Sequence, residues 1–92
     1  MSSTVQTKSF DDNRFETISD FKWSMKCGGE ITFEWDQTMY GIFRLDDRYC
    51  ISLATGENAR WYDTLDDLLE HYLGGRRLRD IITDVTVYFR AT

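Results

Sequence analysis

The sequence predicts an α+β fold: a small antiparallel sheet of four to five strands with helices packed on it. Three observations predict this fold. Apolar residues recur at helical spacing before residue 28 and again after residue 63. The segments between them alternate between apolar and polar residues, and most of the joins are two or three residues long, as antiparallel hairpins require. Helices that flank a run of strands typically cover one face of the sheet.

The length of 92 residues accommodates a single domain. The first 13 residues are polar and lack a period, so we expect a flexible N-terminal arm over 1–13 and one α+β domain over 14–92. Apolar residues make up 41% of the chain and aromatic residues 15%, which is enough for one modest core.

The first helix is predicted within FETISDFKWSMKC. Ile18, Phe21 and Met25 fall on one helical face, and either Thr17 or Ser19 can cap the start. The glycine pair that follows ends the helix, because glycine adopts the left-handed conformation without a Cβ penalty.

Four strands are predicted next, beginning with EITFEWD. Its apolar residues Ile31, Phe33 and Trp35 alternate with acidic ones, which indicates one dry face and one wet face. MYGIFRLD, RYCISLA and a short ARWYD segment follow as further strands.

The C-terminal third predicts two helices and a last strand. Thr64 caps a helix whose apolar stripe comprises Leu65, Leu68, Leu69, Tyr72 and Leu73, and which ends at Gly74-Gly75. RRLRDIIT forms a short second helix that buries Leu78, Ile81 and Ile82. DVTVYFRA then switches to a period of two, with Val85, Val87 and Phe89 inward, as a C-terminal strand that closes the sheet.

The charge and the cysteine count limit the function classes. Sixteen acidic residues against eleven basic ones give a net charge of −5, so repulsion from phosphate backbones disfavours direct nucleic-acid binding. No apolar run approaches the roughly 20 residues of a membrane span, and we expect a cytoplasmic protein without membrane contact. Cys27 and Cys50 are then expected as buried free thiols, although their number also permits one disulfide.

We find no pattern typical of catalysis, metal binding or cofactor binding. The single histidine, His71, falls off the leucine stripe of the second helix, next to Glu70. One histidine and two distant cysteines cannot build a closed zinc site. Nucleophile-elbow, P-loop and dinucleotide-binding motifs are absent from the sequence. We therefore predict a protein that is not an enzyme and holds no cofactor.

Ten residues are candidates for an interaction surface. Trp23 lies off the apolar face of the first helix and Trp61 lies on a short strand, and exposed tryptophans are enriched at interface hot spots. The acidic candidates, which would form one negative patch if the fold gathers them, are Glu30, Glu34, Asp66, Asp67 and Glu70. The basic candidates, which either bind an anionic partner or pair with nearby acids, are Arg76, Arg77 and Arg79.

Three segments, GGEITFEWD, YGIFRLDD and DTLDDLLEHYLGGRRLRDIITDVTV, resemble a group of short uncharacterised bacterial proteins. These share an F-x-W strand, a D-T-x-x-x-L-L helix and an L-R-D-I-I-T-x-V ending. The resemblance covers most of residues 19–89 and implies a small bacterial or mobile-element protein of α+β build. It assigns no catalytic or binding residue.

The leading hypothesis is a non-enzymatic cytoplasmic module that binds another protein and regulates it. The alternative is an acidic inhibitor, encoded by a phage or mobile element, that imitates the phosphates of nucleic acid and occupies the basic groove of a DNA- or RNA-handling enzyme. Direct nucleic-acid binding through the arginines is the least favoured of the three.

Overall fold

The computed structural model describes residues 14–91. The predicted arm over 1–13 lies outside the described residues. In chain order the elements are α1 (Ile18–Cys27), β1 (Glu30–Trp35), β2 (Thr38–Leu45), β3 (Arg48–Leu53), β4 (Arg60–Tyr62), α2 (Leu65–Leu69), β5 (Tyr72–Leu73), β6 (Arg76–Arg77), α3 (Leu78–Ile81) and β7 (Thr86–Arg90).

Within residues 14–91 the main sheet has five antiparallel strands in the order β4-β3-β2-β1-β7, which confirms the α+β class and the antiparallel pairing. The expectation that the last strand closes the sheet is wrong. β7 pairs with β1 and forms one edge, while β4 forms the other edge, so the sheet stays open. Strands β3, β2 and β1 lie between the two edges, each about 4.8 Å from the next, so β4 and β7 do not meet.

One core lies between the sheet and the helices. Strand residues Ile31, Ile42 and Ile51 pair across β1, β2 and β3, so their side chains share one face of the sheet. Buried side chains from the three helices pack against that face, namely Phe21, Met25, Leu65, Leu68, Leu69, Leu78 and Ile81. We call this side of the sheet the core face.

Two threonine caps fix where helices begin, as the sequence predicts. Thr17 Oγ1 accepts a hydrogen bond from the Asp20 N–H, and Thr64 Oγ1 accepts one from the Asp67 N–H. Each cap satisfies a backbone donor that the first turn leaves without an intrahelical partner.

The helix that begins at Leu65 is shorter than predicted. It ends at Leu69, and Tyr72–Leu73 pair with Arg76–Arg77 as a two-stranded hairpin around Gly74-Gly75. Both glycines have positive φ (62° and 90°), which a two-residue hairpin turn requires. The spacing of Leu69 and Leu73 suits a helix, but the turn imposes a period of two, so Leu73 is buried while Tyr72 is 64% exposed.

A bulge in β7 changes the predicted orientation of its last residues. Phe33 pairs with Val87 and Thr32 pairs with Phe89, so one extra residue, Tyr88, lies between them. Phe89 therefore lies on the face opposite the core and is 48% exposed, contrary to the expectation that it faces inward.

Candidate functional site

The face of the sheet opposite the core carries a group of exposed aromatic residues. Alternation along the strands places on it residues of all five strands, which include Glu30, Thr32, Glu34, Met39, Phe43, Leu45, Arg48, Cys50, Trp61 and Phe89. We call this surface the open face, because the helices of the described residues pack on the core face. It is the candidate interaction surface of the protein.

Trp61 lies at the centre of an ordered group on this face. The Phe43 ring meets the Trp61 ring edge-to-face, with centroids 5.5 Å apart, and the Arg48 guanidinium carbon lies 5.5 Å from the Trp61 ring centroid. Arg48 Nε also donates to Asp63 Oδ1 at 3.0 Å. We call Trp61, Phe43, Arg48 and Asp63 the Trp61 cluster. Because two neighbouring side chains contact the indole, it has less side-chain entropy to lose when a partner covers it.

Cys50 lies beneath this cluster. It pairs with Phe43 on one neighbouring strand and with Trp61 on the other, so their two rings meet across it. The thiol is 1% exposed, and burial raises the pKa of Cys50. A buried thiol with a raised pKa is a poor nucleophile. Cys50 and Cys27 are both free cysteines, which agrees with the expectation of free thiols. The expectation that Cys27 is buried is wrong, because it lies at the exposed end of α1, after the buried residues Phe21, Ser24 and Met25.

On the open face, strands β1 and β7 carry carboxylates next to aromatic side chains. Glu30 and Glu34 project from β1 on this face, and Tyr88 Oη donates to Glu34 Oε1 at 2.7 Å. That bond raises the pKa of Tyr88, because ionisation would place a phenolate beside a carboxylate. Phe89 adds an apolar side chain next to these charges.

Trp23 lies on the other layer of the molecule. It is 66% exposed on α1, whose buried residues Phe21 and Met25 face the sheet. Trp61, at 39% exposure, lies on the open face, so the two tryptophans do not share a surface.

The acidic candidates also lie on two different surfaces of the molecule. Glu30 and Glu34 lie on the open face, whereas Asp66, Asp67 and Glu70 lie on or next to α2. Asp66 pairs with Lys22 at 2.6 Å, and this bond lowers the pKa of Asp66. The structure does not gather the five carboxylates into one patch, and the nucleic-acid-mimic hypothesis stays a prediction.

Two of the three candidate arginines bind one carboxylate. Arg79 and Arg77 donate to the two oxygens of Glu70, at 2.6 Å and 3.0 Å, and these bonds lower the pKa of Glu70. Arg77 also contacts Asp80 at 3.5 Å. The sequence left two interpretations of these arginines open, and for Arg77 and Arg79 the structure shows pairing with nearby acids. Arg76 is exposed at the hairpin and belongs to no ion pair among residues 14–91.

His71 follows α2 instead of lying on it, and it is half-buried. Its Nδ1 lies 2.7 Å from Tyr62 Oη, and the two rings meet edge-to-face. Tyr62 packs against the core side of the sheet, whereas Cys50 belongs to the open face. The only histidine and the buried thiol therefore lie on opposite sides of the sheet and do not form a nucleophile–base pair.

No group of three or more histidine, cysteine or acidic residues within 14–91 could hold a metal ion. Across the same residues, no helix has the length and apolar character needed to cross a bilayer. Comparison with protein-family models, with curated proteins and with solved structures finds no match for this chain. The geometry of the protein's surfaces is therefore the basis for proposing a function.

The sequence-based reasoning missed Phe43, Arg48 and Phe89 as surface residues. Alternation from Ile42 and Ile51 would have placed Phe43 and Cys50 opposite the core, which is a usable signal. The contact of Arg48 with Trp61 depends on how β4 aligns with β3, and Phe89 depends on the bulge, so neither follows from a local pattern.

Proposed function

We propose that this protein is a non-enzymatic binding module that recognises another protein through its open face. The Trp61 cluster is the observation that carries the proposal. A large aromatic side chain is 39% exposed and contacts two neighbouring side chains, on a face that the helices of the described residues leave bare. Rigid tryptophan anchors flanked by arginine are enriched among the residues that dominate interface energetics.

The charge of the open face specifies the partner. Glu30 and Glu34 border the apolar part of this face, and the chain has a net charge of −5. An apolar patch beside carboxylates matches a protein surface that presents an apolar pocket next to lysine or arginine side chains. We therefore propose a basic protein partner whose pocket receives Trp61.

The test compares two tryptophans that the fold separates. Wild-type protein, Trp61→Ala and Trp23→Ala serve as bait in extracts of the native host, and a captured protein is then purified and titrated against each variant. We expect Trp61→Ala to weaken the complex by about 30-fold, corresponding to the ~2 kcal/mol of a hot spot. Trp23→Ala, on α1, should bind like wild type because it lies on the other layer.

A second variant keeps the test decisive if Trp61→Ala loses stability. Phe89→Ala removes apolar area at the β7 edge and leaves the Trp61 cluster intact, so it should also weaken binding while the unfolding midpoint stays close to that of wild type. Equal binding by all variants, or a loss confined to Trp23→Ala, would contradict use of the open face. Affinity that falls steeply with salt while neither Trp61→Ala nor Phe89→Ala changes it would favour the charge-mimicry alternative.

A further inference from the structure

A cavity of about 260 Å³ lies on the core side of the sheet, at the end where the β5–β6 hairpin meets β2, β3 and β4. Its lining includes the apolar and aromatic side chains of Tyr40, Ile51, Leu53 and Tyr72, together with Arg60 and His71. This composition is typical of small-molecule sites, which combine an apolar wall with a few polar groups. The cavity is separate from the open face, because Arg60 pairs with Ile51 and so belongs to the core side.

The cavity is positive in a protein that is acidic as a whole. No aspartate or glutamate among residues 14–91 lines it. The Arg60 side chain is exposed and forms no ion pair with any acid among residues 14–91. It shares this with Arg14, Arg44 and Arg76, whereas Arg48, Arg77, Arg79 and Arg90 all form ion pairs. An arginine without an internal counter-ion, beside apolar walls, is suited to bind an anion with its planar fork of donors.

His71 supplies a second polar group on the same wall. Its contact with Tyr62 Oη fixes the ring, and its backbone oxygen accepts from the Leu78 N–H at 2.7 Å. Burial, and then the charge of Arg60, lower the pKa of His71, so the imidazole is neutral near pH 7. When the Tyr62 O–H donates to Nδ1, the neutral ring carries its proton on Nε2. The cavity then holds one full positive charge and one neutral ring.

We propose that this cavity binds a carboxylate carried on an apolar or aromatic group, with Arg60 as the charge partner and the rings of Tyr40 and Tyr72 against the apolar part. A single cation matches a carboxylate monoanion better than a phosphate dianion. The carboxylate belongs either to a free small molecule or to the end of a peptide chain. The site does not depend on the proposed use of the open face, since Arg60 and Trp61 project from opposite sides of β4.

The test is an NMR titration of the full chain with benzoate, followed at the His71 ring and at the Arg60 side chain. Benzamide, which has the same shape without the charge, and inorganic phosphate serve as controls. We expect saturable shifts with benzoate alone and a rise in the His71 pKa on binding, because a nearby anion favours the protonated ring. Arg60→Gln should weaken benzoate binding at least about tenfold, since a charge-assisted hydrogen bond is lost.

Arg14→Gln is the matched control, because it removes the same charge from an exposed position outside the cavity and should bind benzoate like wild type. A peptide with a free terminal carboxylate and its amidated form distinguish the two sources: tighter binding of the free-acid peptide than of benzoate identifies a chain terminus, and the reverse identifies a small molecule.

Absence of saturable shifts, equal binding of benzamide, stronger binding of phosphate, or unchanged affinity in Arg60→Gln would each overturn the proposal. Loss of the site in Arg60→Gln leaves Trp61-dependent binding intact, so the two proposals fail separately.

Discussion

At the scale of single residues, His71 shows how neighbours decide the chemistry of a side chain. On an exposed helix its imidazole would titrate near pH 6.5, the ordinary value. In the fold it is half-buried beside Tyr62, with the Arg60 charge nearby, and both burial and that charge disfavour the protonated form.

The lowered His71 pKa predicts a pH dependence of stability. The folded chain binds the imidazole proton less tightly than the unfolded chain does. With respect to His71, the free energy of unfolding is therefore highest above about pH 6.5, and it falls as the pH drops from there toward the lower pKa of the folded state. Urea unfolding between pH 7.5 and 5.5 should show this decline in wild type and a flatter profile in His71→Asn.

Asp66 and Glu70 do not account for that decline. The pKa values of Asp66 and Glu70 are lowered from 3.8 and 4.5, so the stability that depends on their ionisation is lost at lower pH than the His71 window. A profile that is equally steep in His71→Asn would show that another group is responsible. Arg60→Gln should make the dependence of the free energy of unfolding on pH less steep, and it should raise the His71 pKa, as measured by NMR.

At the scale of elements, the segment after α2 shows turn chemistry overriding a helical pattern. The positions of Leu65, Leu69 and Leu73 fit one helical face, yet the chain leaves the helix after Leu69. Gly74 and Gly75 both take the left-handed region, which an α-helix does not use, and the resulting hairpin still buries Leu73.

Substitution of Gly75 tests how much this turn contributes. Its φ is 90°, and a Cβ there would meet no atom of the described residues within 4 Å. Alanine at this position is therefore destabilising because of its backbone conformation, and not because of a steric clash. We expect Gly75→Ala to lower the free energy of unfolding by about 1–2 kcal/mol, as measured by urea denaturation.

Gly41 provides the matched control for that experiment. It lies inside β2 without a positive φ, and its added Cβ would come no closer than 4.0 Å to the nearest atom, the Ile31 carbonyl oxygen. Gly41→Ala should therefore be neutral or stabilising, because alanine loses less backbone entropy than glycine in a strand. Equal losses in the two variants would show that the backbone conformation at Gly75 is not the cause.

At the scale of the whole molecule, Arg90 joins the two ends of the described chain. The bulge at Tyr88 places Arg90 opposite Ile31 on the core face. There its guanidinium carbon lies 4.8 Å from the centroid of the buried Phe15 ring, and Nη1 lies 3.3 Å from Asp20 Oδ2. The edge strand β7 is thereby fastened to α1 and to the segment that precedes it.

Truncation of Arg90 should loosen that connection. We expect Arg90→Ala to lower the free energy of unfolding by about 1–2 kcal/mol, through loss of the cation–π contact and of stem packing over Phe15. Arg90→Met keeps the stem and should lose less. Asp20→Asn weakens the partly exposed ion pair and the bond that Asp20 Oδ2 accepts from the Glu16 N–H, and it should lose least. Urea denaturation of the three variants gives the order, and a loss in Asp20→Asn as large as in Arg90→Ala would instead assign the effect to the polar contacts of Asp20.

The sequence alone determined the features that depend on neighbours a few positions away. The cap at Thr64, the short helix that buries Leu78 and Ile81, and the alternation of β1 all follow from hydrogen bonds and periodicities within one element. At the first helix the sequence left Thr17 and Ser19 as alternatives, and the structure shows Thr17. The α+β class follows from the order of those elements.

Only the tertiary structure decided where β7 pairs, which way Phe89 points and what surrounds Trp61. These features depend on registers between strands that are far apart in the chain, and a one-residue bulge reverses the face of every side chain beyond it. The cavity at Arg60 and His71 arises in the same way, because the hairpin at Gly74-Gly75 brings Tyr72 and Leu73 against β2, β3 and β4, which lie earlier in the chain.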